Sequence, residues 1–318
     1  MPPTPEPSAA ALAGSSLGRA AKRLLLATRP KFFTASVLPV LLGTAWGYKV
    51  GGYFDAAAFA VALMATVCVH AGANVLNDVF DELGGSDSAN ADRIYPYTGG
   101  SRFIQNGVMN VAEMARWGSA LVGVGMVFGA TLIVLKGMSV LYFGLAGVAL
   151  ATLYSIPPVQ LSARGVGEAA VGVGFGVLPV TGAAWLQSGV IDGASLLMSL
   201  PIALWVANIL LINEVPDIVA DARANKRTLA VRFGRRGTQV LYFVLQLVAV
   251  LAIGVAVGQS LLPWGALVLP ALLLLAAARA TWAIAQDVEH LRRGIELTLA
   301  IHALGSLWLI IWIAYSAS

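Results

Sequence analysis

Residues 57–81, AAFAVALMATVCVHAGANVLNDVFD, form an apolar run of membrane-spanning length that ends in clustered acids. A helix needs about 20 predominantly apolar residues to cross the hydrocarbon core of a bilayer. Four polar residues at the end of the run follow the spacing i, i+3, i+4, i+7 and so share one helix face: Asn74, Asn77, Asp78 and Asp81. The stretch therefore predicts a membrane helix with an acidic face at one end.

A second cluster has nearly the same pattern. Asn213, Asp217 and Asp221 are spaced i, i+4, i+8 and would also share one face. Two carboxylate faces in an apolar protein repel each other and are costly to desolvate, which indicates that cations lie between them. Hard oxygen ligands suit Mg²⁺, and two such clusters facing each other would hold a diphosphate through bridging ions. The likeness of the motifs also indicates an internal duplication.

Composition excludes a water-soluble globule, because 58% of the 318 residues are hydrophobic and 11% are charged, against about 25% charged in a soluble domain. We expect an all-α polytopic membrane bundle. Residues 1–18 lack periodicity and predict a disordered tail; residues 19–318 predict a single transmembrane domain. Nine membrane-length runs are found at 32–50, 57–80, 112–135, 138–156, 168–190, 195–216, 238–258, 262–285 and 295–316.

The basic residues predict an orientation. Of the 20 Lys and Arg residues, all except Lys49 and Lys136 fall on one side of the predicted spans. By the positive-inside rule the N-terminus is cytoplasmic, the C-terminus is outside, and both acidic motifs face the cytoplasm. The loops that follow the motifs, 82–111 and 217–237, predict two cytoplasmic caps over the site. The net charge of +4 does not indicate nucleic acid, since the basic residues lie beside spans.

Basic residues follow each motif: Arg93 and Arg102 the first, Lys226 and Arg227 the second. Cations close to a diphosphate stabilise the charge that grows as it leaves. Positive-inside anchoring explains most of the other basic residues. Tyr154, at the end of the fourth run, is of a type that more often anchors a helix at the membrane interface.

These motifs resemble the UbiA superfamily of intramembrane prenyltransferases, which carries an Asn-Asp-x-x-Asp-type motif after helix two and an Asp-x-x-x-Asp motif after helix six of nine. Further stretches resemble the menaquinone branch of that superfamily, which includes 1,4-dihydroxy-2-naphthoate polyprenyltransferase: 29–31, 81–87, 96–101, 164–168, 213–221 and 226–232. A ubiquinone-branch sequence would place Asp at position 85, where this chain has Gly85, and Asp87 takes its place.

The resemblance implies transfer of a polyprenyl group from its diphosphate to an electron-rich aromatic ring, with Mg²⁺ as cofactor. The implied metal ligands are Asp78, Asp81, Asp217, Asp221 and Asp87. The implied diphosphate-binding residues are Asn74, Asn77, Asn213, Arg93, Arg102, Lys226 and Arg227. Lys226 would take up charge during bond cleavage, and Tyr154 would stabilise the carbocation with its ring face. The favoured acceptor is 1,4-dihydroxy-2-naphthoate, and the implied location is the inner membrane of a bacterium.

Three alternatives stay open at this point. Another acceptor, such as 4-hydroxybenzoate or homogentisate, fits the same motifs. An ion-coupled transporter fits the intramembrane acids and the repeat, although transporter sites lie near mid-bilayer and these acids crowd at one face. A CDP-alcohol phosphotransferase also uses clustered Asp, but its Asp-Gly-x-x-Ala-Arg signature is absent from the sequence.

Overall fold

The computed structural model describes residues 5–14 and 16–316, and every regular element in these ranges is helical. The α-helices are, in chain order, α1 Leu17–Ala27, α2 Thr34–Gly51, α3 Ala56–Leu83, α4 Ser86–Ala89, α5 Val111–Lys136, α6 Val140–Ser155, α7 Gly167–Val171, α8 Leu178–Ser188, α9 Gly193–Asn213, α10 Ile218–Arg223, α11 Leu229–Gly258, α12 Val268–Ala283 and α13 Val288–Tyr315. A π-helical segment, Gly172–Val177, joins α7 to α8, and 3-10 turns lie at Pro30–Phe32, Leu161–Ala163 and Trp264–Leu267.

Seven helical stretches in the described ranges are long and apolar enough to cross a membrane, or up to eight if α1 and α2, bent by 53°, form one span. The chain is therefore an integral membrane protein. Each of the nine predicted runs contains a helix, but α2 passes this test only together with α1, and α6 has 16 residues. The count of nine spans stays a prediction.

Side-chain caps set where several helices begin. The Asp55 carboxylate accepts a hydrogen bond of 2.9 Å from the backbone N–H of Ala58 at the start of α3. Asn110 and Glu113 form a reciprocal capping box at the start of α5. The Thr228 hydroxyl accepts from the N–H of Val231. These caps satisfy N–H groups that have no partner inside the helix.

Close backbone approaches hold the bundle together. A Cβ on Gly43 of α2 would lie 2.2 Å from the carbonyl oxygen of Val180 in α8, and one on Gly47 would lie 2.3 Å from that of Ala184. A Cβ on Gly72 of α3 would lie 2.7 Å from a carbonyl oxygen of α5. In lipid, helix association depends on such packing, since burial from water does not drive it.

Two polar connections lie at one end of the bundle. The first, residues 84–110 between α3 and α5, contains α4, and the second, residues 214–228 between α9 and α11, contains α10. The second ends earlier than the predicted loop 217–237, because the Thr228 cap starts a helical segment at Leu229. Gly234, with a φ of 62° and a ψ of 179°, breaks the helix between this segment and the long part of α11. Whether the two connections are caps on the cytoplasmic side stays a prediction.

Part of the segment expected to be a disordered tail contacts the first polar connection. Glu6 accepts hydrogen bonds from the Arg93 Nε at 2.7 Å and from the Asn106 Nδ2 at 3.1 Å. Leu12 is buried against an apolar cluster that includes Phe103. Residues 1–4 and 15 of the predicted tail lie outside the described residues. The division into a tail and a single domain stays a prediction.

Candidate active site

The two acidic motifs meet at the end of the bundle that carries the polar connections. Lys226 lies between them, with its Nζ 2.5 Å from an oxygen of Asp81 on α3 and 3.8 Å from an oxygen of Asp221 on α10. These side chains are between 11% and 13% exposed. The last turn of α3 and the segment after α9 therefore face one another across Lys226. The prediction that Asn213, Asp217 and Asp221 share one helix face is wrong, because α9 ends at Asn213, a turn follows, and Asp217 is the N-cap of the separate helix α10.

A second bridge joins the two polar connections. The Asn90 Nδ2 donates a hydrogen bond of 2.7 Å to the Asp217 Oδ1. Asn90 is 4% exposed, and its Oδ1 has no hydrogen-bond partner. Asn90 was not predicted as a site residue, because it lies outside both helical patterns and its role depends on the path of the connection.

Asp78 and Asp87 converge on Gly100. A Cβ at position 100 would lie 2.5 Å from the Asp87 Oδ2 and 3.0 Å from the Asp78 Oδ1, and Gly100 has a φ of +74°. Both the space and the backbone conformation therefore require glycine. The other Asp78 oxygen accepts from the N–H of Ser101 at 2.9 Å, and an Arg29 nitrogen lies 3.6 Å from the Asp78 Oδ1.

The acids outside the spanning helices have perturbed pKa values. Burial, with the neighbouring Asp78 and Asp81 carboxylates, raises the pKa of Asp87 to about 8. Burial raises the pKa of Asp221 to about 7, although Lys226 opposes the shift. Burial also raises the pKa of Asp217. Burial lowers the pKa of Lys226, but the Asp81 and Asp221 carboxylates outweigh that effect and hold it above its ordinary value.

The donor set fits Mg²⁺. In the described ranges no three acidic, His or Cys side chains surround one position by themselves, and Mg²⁺ usually takes one or two carboxylates and completes its shell with water and phosphate oxygens. Four buried side-chain oxygens around the site have no hydrogen-bond partner: Asp78 Oδ1, Asp87 Oδ2, Asn90 Oδ1 and Asn213 Oδ1. Buried oxygens without donors are expected where an ion binds.

The acids open into a cavity of about 650 Å³ bounded by α3, α5, α6, the π-helical segment with α8, and α9. Its polar end is lined by Asn74, Asn77, Asp81, Asp87, Asn90, Asn213, Asp217, Asp221 and Lys226. Tyr154 lines it further along, and Phe143 and Trp185 lie on its apolar wall with ring centroids 5.9 Å apart. The cavity therefore joins an anion-binding end to an apolar chamber.

Four of the predicted residues lie off this cavity wall. Asp78 lies behind it, beside Gly100. Arg93 is paired with Glu6. Arg102, 6% exposed, donates to the backbone oxygen of Asp87 at 2.6 Å and so holds the loop that carries this acid. Arg227 is exposed. Direct contact with substrate stays a prediction for these residues.

A carboxyl pair beside the site was also not predicted. Glu168 at the start of α7 and Glu214, directly after the end of α9, lie side by side. Burial, followed by the neighbouring Glu168, raises the pKa of Glu214 well above its usual range. Both glutamates lie in stretches that the sequence singled out, 164–168 and 213–221. Glu168 belongs to neither acidic motif, and Glu214 is not among the spaced residues of the second.

The described part of the chain is an all-helical bundle with paired acids at the mouth of an apolar chamber, an arrangement that suits a ligand with a charged head and an apolar tail. The model of the UbiA prenyltransferase family matches residues 36–294. The chain therefore belongs to the UbiA prenyltransferase family and is a prenyltransferase, which confirms the resemblance seen in the sequence.

Named relatives agree with this assignment. The chain is 30% identical over 226 residues to UbiA prenyltransferase domain-containing protein 1 of Xenopus tropicalis, covering 70% of this chain and 62% of that protein, which is less than two thirds of its length. It is 28% identical over 241 residues to 1,4-dihydroxy-2-naphthoate octaprenyltransferase of Bacillus subtilis, covering 74% of each.

A solved structure shares the fold. A UbiA homologue from Archaeoglobus fulgidus, bound to DMAPP and Mg²⁺, superposes with a TM-score of 0.63 at 15% sequence identity. The superposition covers 91% of this chain and 99% of that one. At this identity the likeness shows the fold.

Proposed function

We propose that this prenyltransferase transfers a polyprenyl group from its diphosphate to 1,4-dihydroxy-2-naphthoate, with Mg²⁺, in menaquinone biosynthesis. The observation that carries the proposal is the meeting of two acidic helix ends around Lys226 at the mouth of an apolar cavity. A diphosphate needs the polar end, and an isoprenoid chain needs the apolar one.

In this proposal five acids hold Mg²⁺ at the polar end: Asp78, Asp81, Asp87, Asp217 and Asp221. The bound ion would neutralise charge on the diphosphate oxygens and assist its departure. The donor set supports this assignment, because the Asp78 and Asp87 oxygens that accept no hydrogen bond converge on Gly100. The five acids have two neighbouring cations, Lys226 and Arg29, and so retain negative charge for a metal ion. The Archaeoglobus homologue bound to DMAPP and Mg²⁺ supports it further.

The chain's own groups then manage the charge of the leaving diphosphate. The allylic carbon–oxygen bond breaks and the electron pair leaves with the diphosphate. Lys226 donates to the departing oxygens, and the amides of Asn74, Asn77 and Asn213 offer donors and acceptors at the same wall. The Arg102 contact to the Asp87 backbone keeps the first polar connection in place.

The apolar part of the cavity would hold the isoprenoid tail and exclude water. Exclusion matters because the allylic cation would otherwise be hydrolysed. Each CH₂ buried from water contributes about 0.8 kcal/mol, so a polyprenyl chain binds such a chamber strongly. Tyr154 lies on the wall of the cavity, where its ring face would stabilise the cation.

The choice of acceptor rests on the relatives. The Bacillus subtilis relative is named for 1,4-dihydroxy-2-naphthoate. The electron-rich ring carbon that bears the carboxylate attacks the allylic carbon and a new carbon–carbon bond forms. The bond to the carboxylate then breaks, CO₂ leaves, and the released electron pair restores the aromatic ring. Other aromatic acceptors would use the same donor site, so the acceptor must be tested directly.

The test is product analysis with purified protein in detergent. One prenyl diphosphate and Mg²⁺ are supplied with a panel that contains 1,4-dihydroxy-2-naphthoate, 4-hydroxybenzoate and homogentisate, and the products are identified by mass spectrometry. We expect a prenylated naphthalene that has lost the carboxylate, together with diphosphate release that requires Mg²⁺. Exclusive use of a benzoate would contradict the proposed acceptor, and ion flux in liposomes without diphosphate release would contradict the enzyme.

A further inference from the structure

The carboxyl pair Glu168–Glu214 is unused by the donor chemistry described above. Glu214 lines the cavity and is 7% exposed, and its Oε2 has no hydrogen-bond partner. Glu168 is 3% exposed, and its Oε2 likewise accepts no hydrogen bond from an N–H or hydroxyl donor. Two buried carboxyl groups side by side without such donors are costly, so the pair needs an explanation.

The pair is held in place by the ends of three helices. Glu214 follows the last residue of α9 and its backbone N–H still bonds to Leu210. The Glu168 Oε1 accepts a hydrogen bond of 3.2 Å from the N–H of Leu229, the first residue of α11. The Glu168 side chain lies beside that of Glu214. Glu214 therefore presents a fixed oxygen, which is the requirement for recognition by a hydrogen bond.

Ser162 adds a second group of the same kind. It lines the cavity, is 8% exposed, and its hydroxyl has no hydrogen-bond partner. It lies beside Gly167, because a Cβ on that glycine would be 3.3 Å from the Ser162 Cα. This wall therefore offers further polar oxygens beside the acids around Lys226.

The diphosphate, the isoprenoid tail and the aromatic acceptor differ in the groups that they could present to Glu214 and Ser162. A diphosphate is an anion and is repelled by a carboxyl pair that carries negative charge. An isoprenoid tail has no hydrogen-bonding group. The acceptor carries hydroxyl groups, and a hydroxyl pairs with a carboxyl oxygen in either protonation state, since it both donates and accepts.

We propose that Glu214, oriented by Glu168, binds a ring hydroxyl of the aromatic acceptor and so positions the ring beside the diphosphate site. This inference rests on the proposed function and specifies its acceptor: an aromatic ring with a free hydroxyl at the position that faces Glu214. Glu168 is a positioning residue that acts through Glu214.

The experiment compares one acceptor with its methyl ethers. Wild-type protein and Glu214→Leu are assayed with 1,4-dihydroxy-2-naphthoate and its two mono-O-methyl ethers, at fixed donor and Mg²⁺. In the wild type we expect one ether to raise the acceptor KM by at least about tenfold. In Glu214→Leu the acid and that ether should have similar KM values, because the group that distinguishes them has been removed.

Three further measurements separate recognition from a structural role. Glu214→Leu should leave the donor KM and the Mg²⁺ half-saturation within about twofold, and Glu214→Gln, which keeps a hydrogen-bonding group, should recover most of the acceptor affinity. Glu168→Gln should raise the acceptor KM alone, which provides a test if Glu214→Leu does not fold. Glu289→Gln, whose side chain is 46% exposed outside the cavity, is the matched control.

Each contrary result has a distinct meaning. If each ether changes the acceptor KM by the same factor in Glu214→Leu as in the wild type, Glu214 does not bind the hydroxyl. If Glu214→Leu weakens Mg²⁺ or donor binding instead, Glu214 belongs to the diphosphate site and the inference is overturned. If wild-type protein prenylates no hydroxylated ring at all, the proposed function fails and the inference falls with it.

Discussion

Lys226 is the residue on which the geometry of the candidate site depends. Its ammonium is shared by Asp81 and Asp221, which lie on different helices and far apart in the sequence. A buried cation between two carboxylates offsets their repulsion before any metal binds. From the same position the Lys226 ammonium would exchange its contacts with the acids for hydrogen bonds to a departing diphosphate.

The acids should be required for diphosphate release. We expect Asp217→Ala and Asp78→Ala to lower kcat/KM by at least about a hundredfold, because each removes an oxygen from the proposed metal and diphosphate site. The measurement is Mg²⁺-dependent release of diphosphate in detergent. Asp92→Asn is the control, since Asp92 lies in the first polar connection but is exposed. Full activity of Asp217→Ala would remove Asp217 from the mechanism.

Lys226→Met should separate charge stabilisation from metal binding. Lys226 competes with a cation for Asp81 and Asp221, so its removal is expected to lower kcat by about a hundredfold without weakening the Mg²⁺ half-saturation. Arg223→Met, an exposed basic residue of the same connection, should behave like the wild type. A loss of Mg²⁺ affinity in Lys226→Met, measured with the thermal midpoint as a folding control, would argue against this role.

Among the elements, the long helices follow from the sequence and their packing partners do not. The length of the apolar runs predicts α3, α5 and α9, because a segment that crosses lipid must form its backbone hydrogen bonds within itself and is therefore helical. The basic stretch 229–237 was predicted to be loop, but it is helical except for a break at Gly234, where φ is 62° and ψ is 179°; the long part of α11 follows this break. That basic stretch has the composition of a loop, and the cap that makes it helical is one hydroxyl.

Close packing of α2 on α8 gives an element-scale prediction. Gly43→Ala places a methyl group 2.2 Å from the Val180 carbonyl oxygen and must separate the helices, so we expect a loss of about 1–3 kcal/mol in the free energy of unfolding. Gly254→Ala in α11 meets nothing within 4 Å and should be neutral or stabilising by about 0.5–1 kcal/mol. Thermal unfolding in detergent compares the two; equal midpoints would contradict this packing.

At the scale of the whole molecule, the buried acids link stability, pH and metal. The pKa values of about 8 for Asp87 and about 7 for Asp221 lie above those of the unfolded chain. Between roughly pH 4 and pH 8 the folded protein without metal therefore binds more protons than the unfolded one, and its free energy of unfolding falls as the pH rises. A divalent cation binds the deprotonated acids and reverses this loss.

The linkage predicts the pH dependence of metal stabilisation. We expect Mg²⁺ to raise the thermal midpoint more at about pH 8.5 than at about pH 6, since fewer protons must be displaced at the higher pH. Asp87→Asn should reduce the difference between the two pH values, because one of the titrating groups is gone. The outcome that would contradict the linkage is an Mg²⁺ effect of the same size at both pH values.

The orientation in the membrane is a second prediction at this scale. In a Cys68→Ser background, Ser88→Cys lies at the acidic end and Val190→Cys lies in the connection between α8 and α9. The distribution of Lys and Arg predicts that an impermeant maleimide added to intact bacterial cells labels Val190→Cys and spares Ser88→Cys. The reverse pattern would place the acidic end outside.

The sequence by itself determined the membrane class, the helical runs and the acidic face of α3, because these depend on composition and on neighbours within a few residues. It did not determine the second acidic cluster, which a turn divides between α9 and α10. Only the tertiary structure decided that Asn90 bonds to Asp217, that Arg93 is taken up by Glu6, and that Glu168 meets Glu214. The physical reason is that each of these contacts joins segments far apart in the chain, and the path of a polar connection is set by its packing partners and leaves no periodic pattern in the sequence.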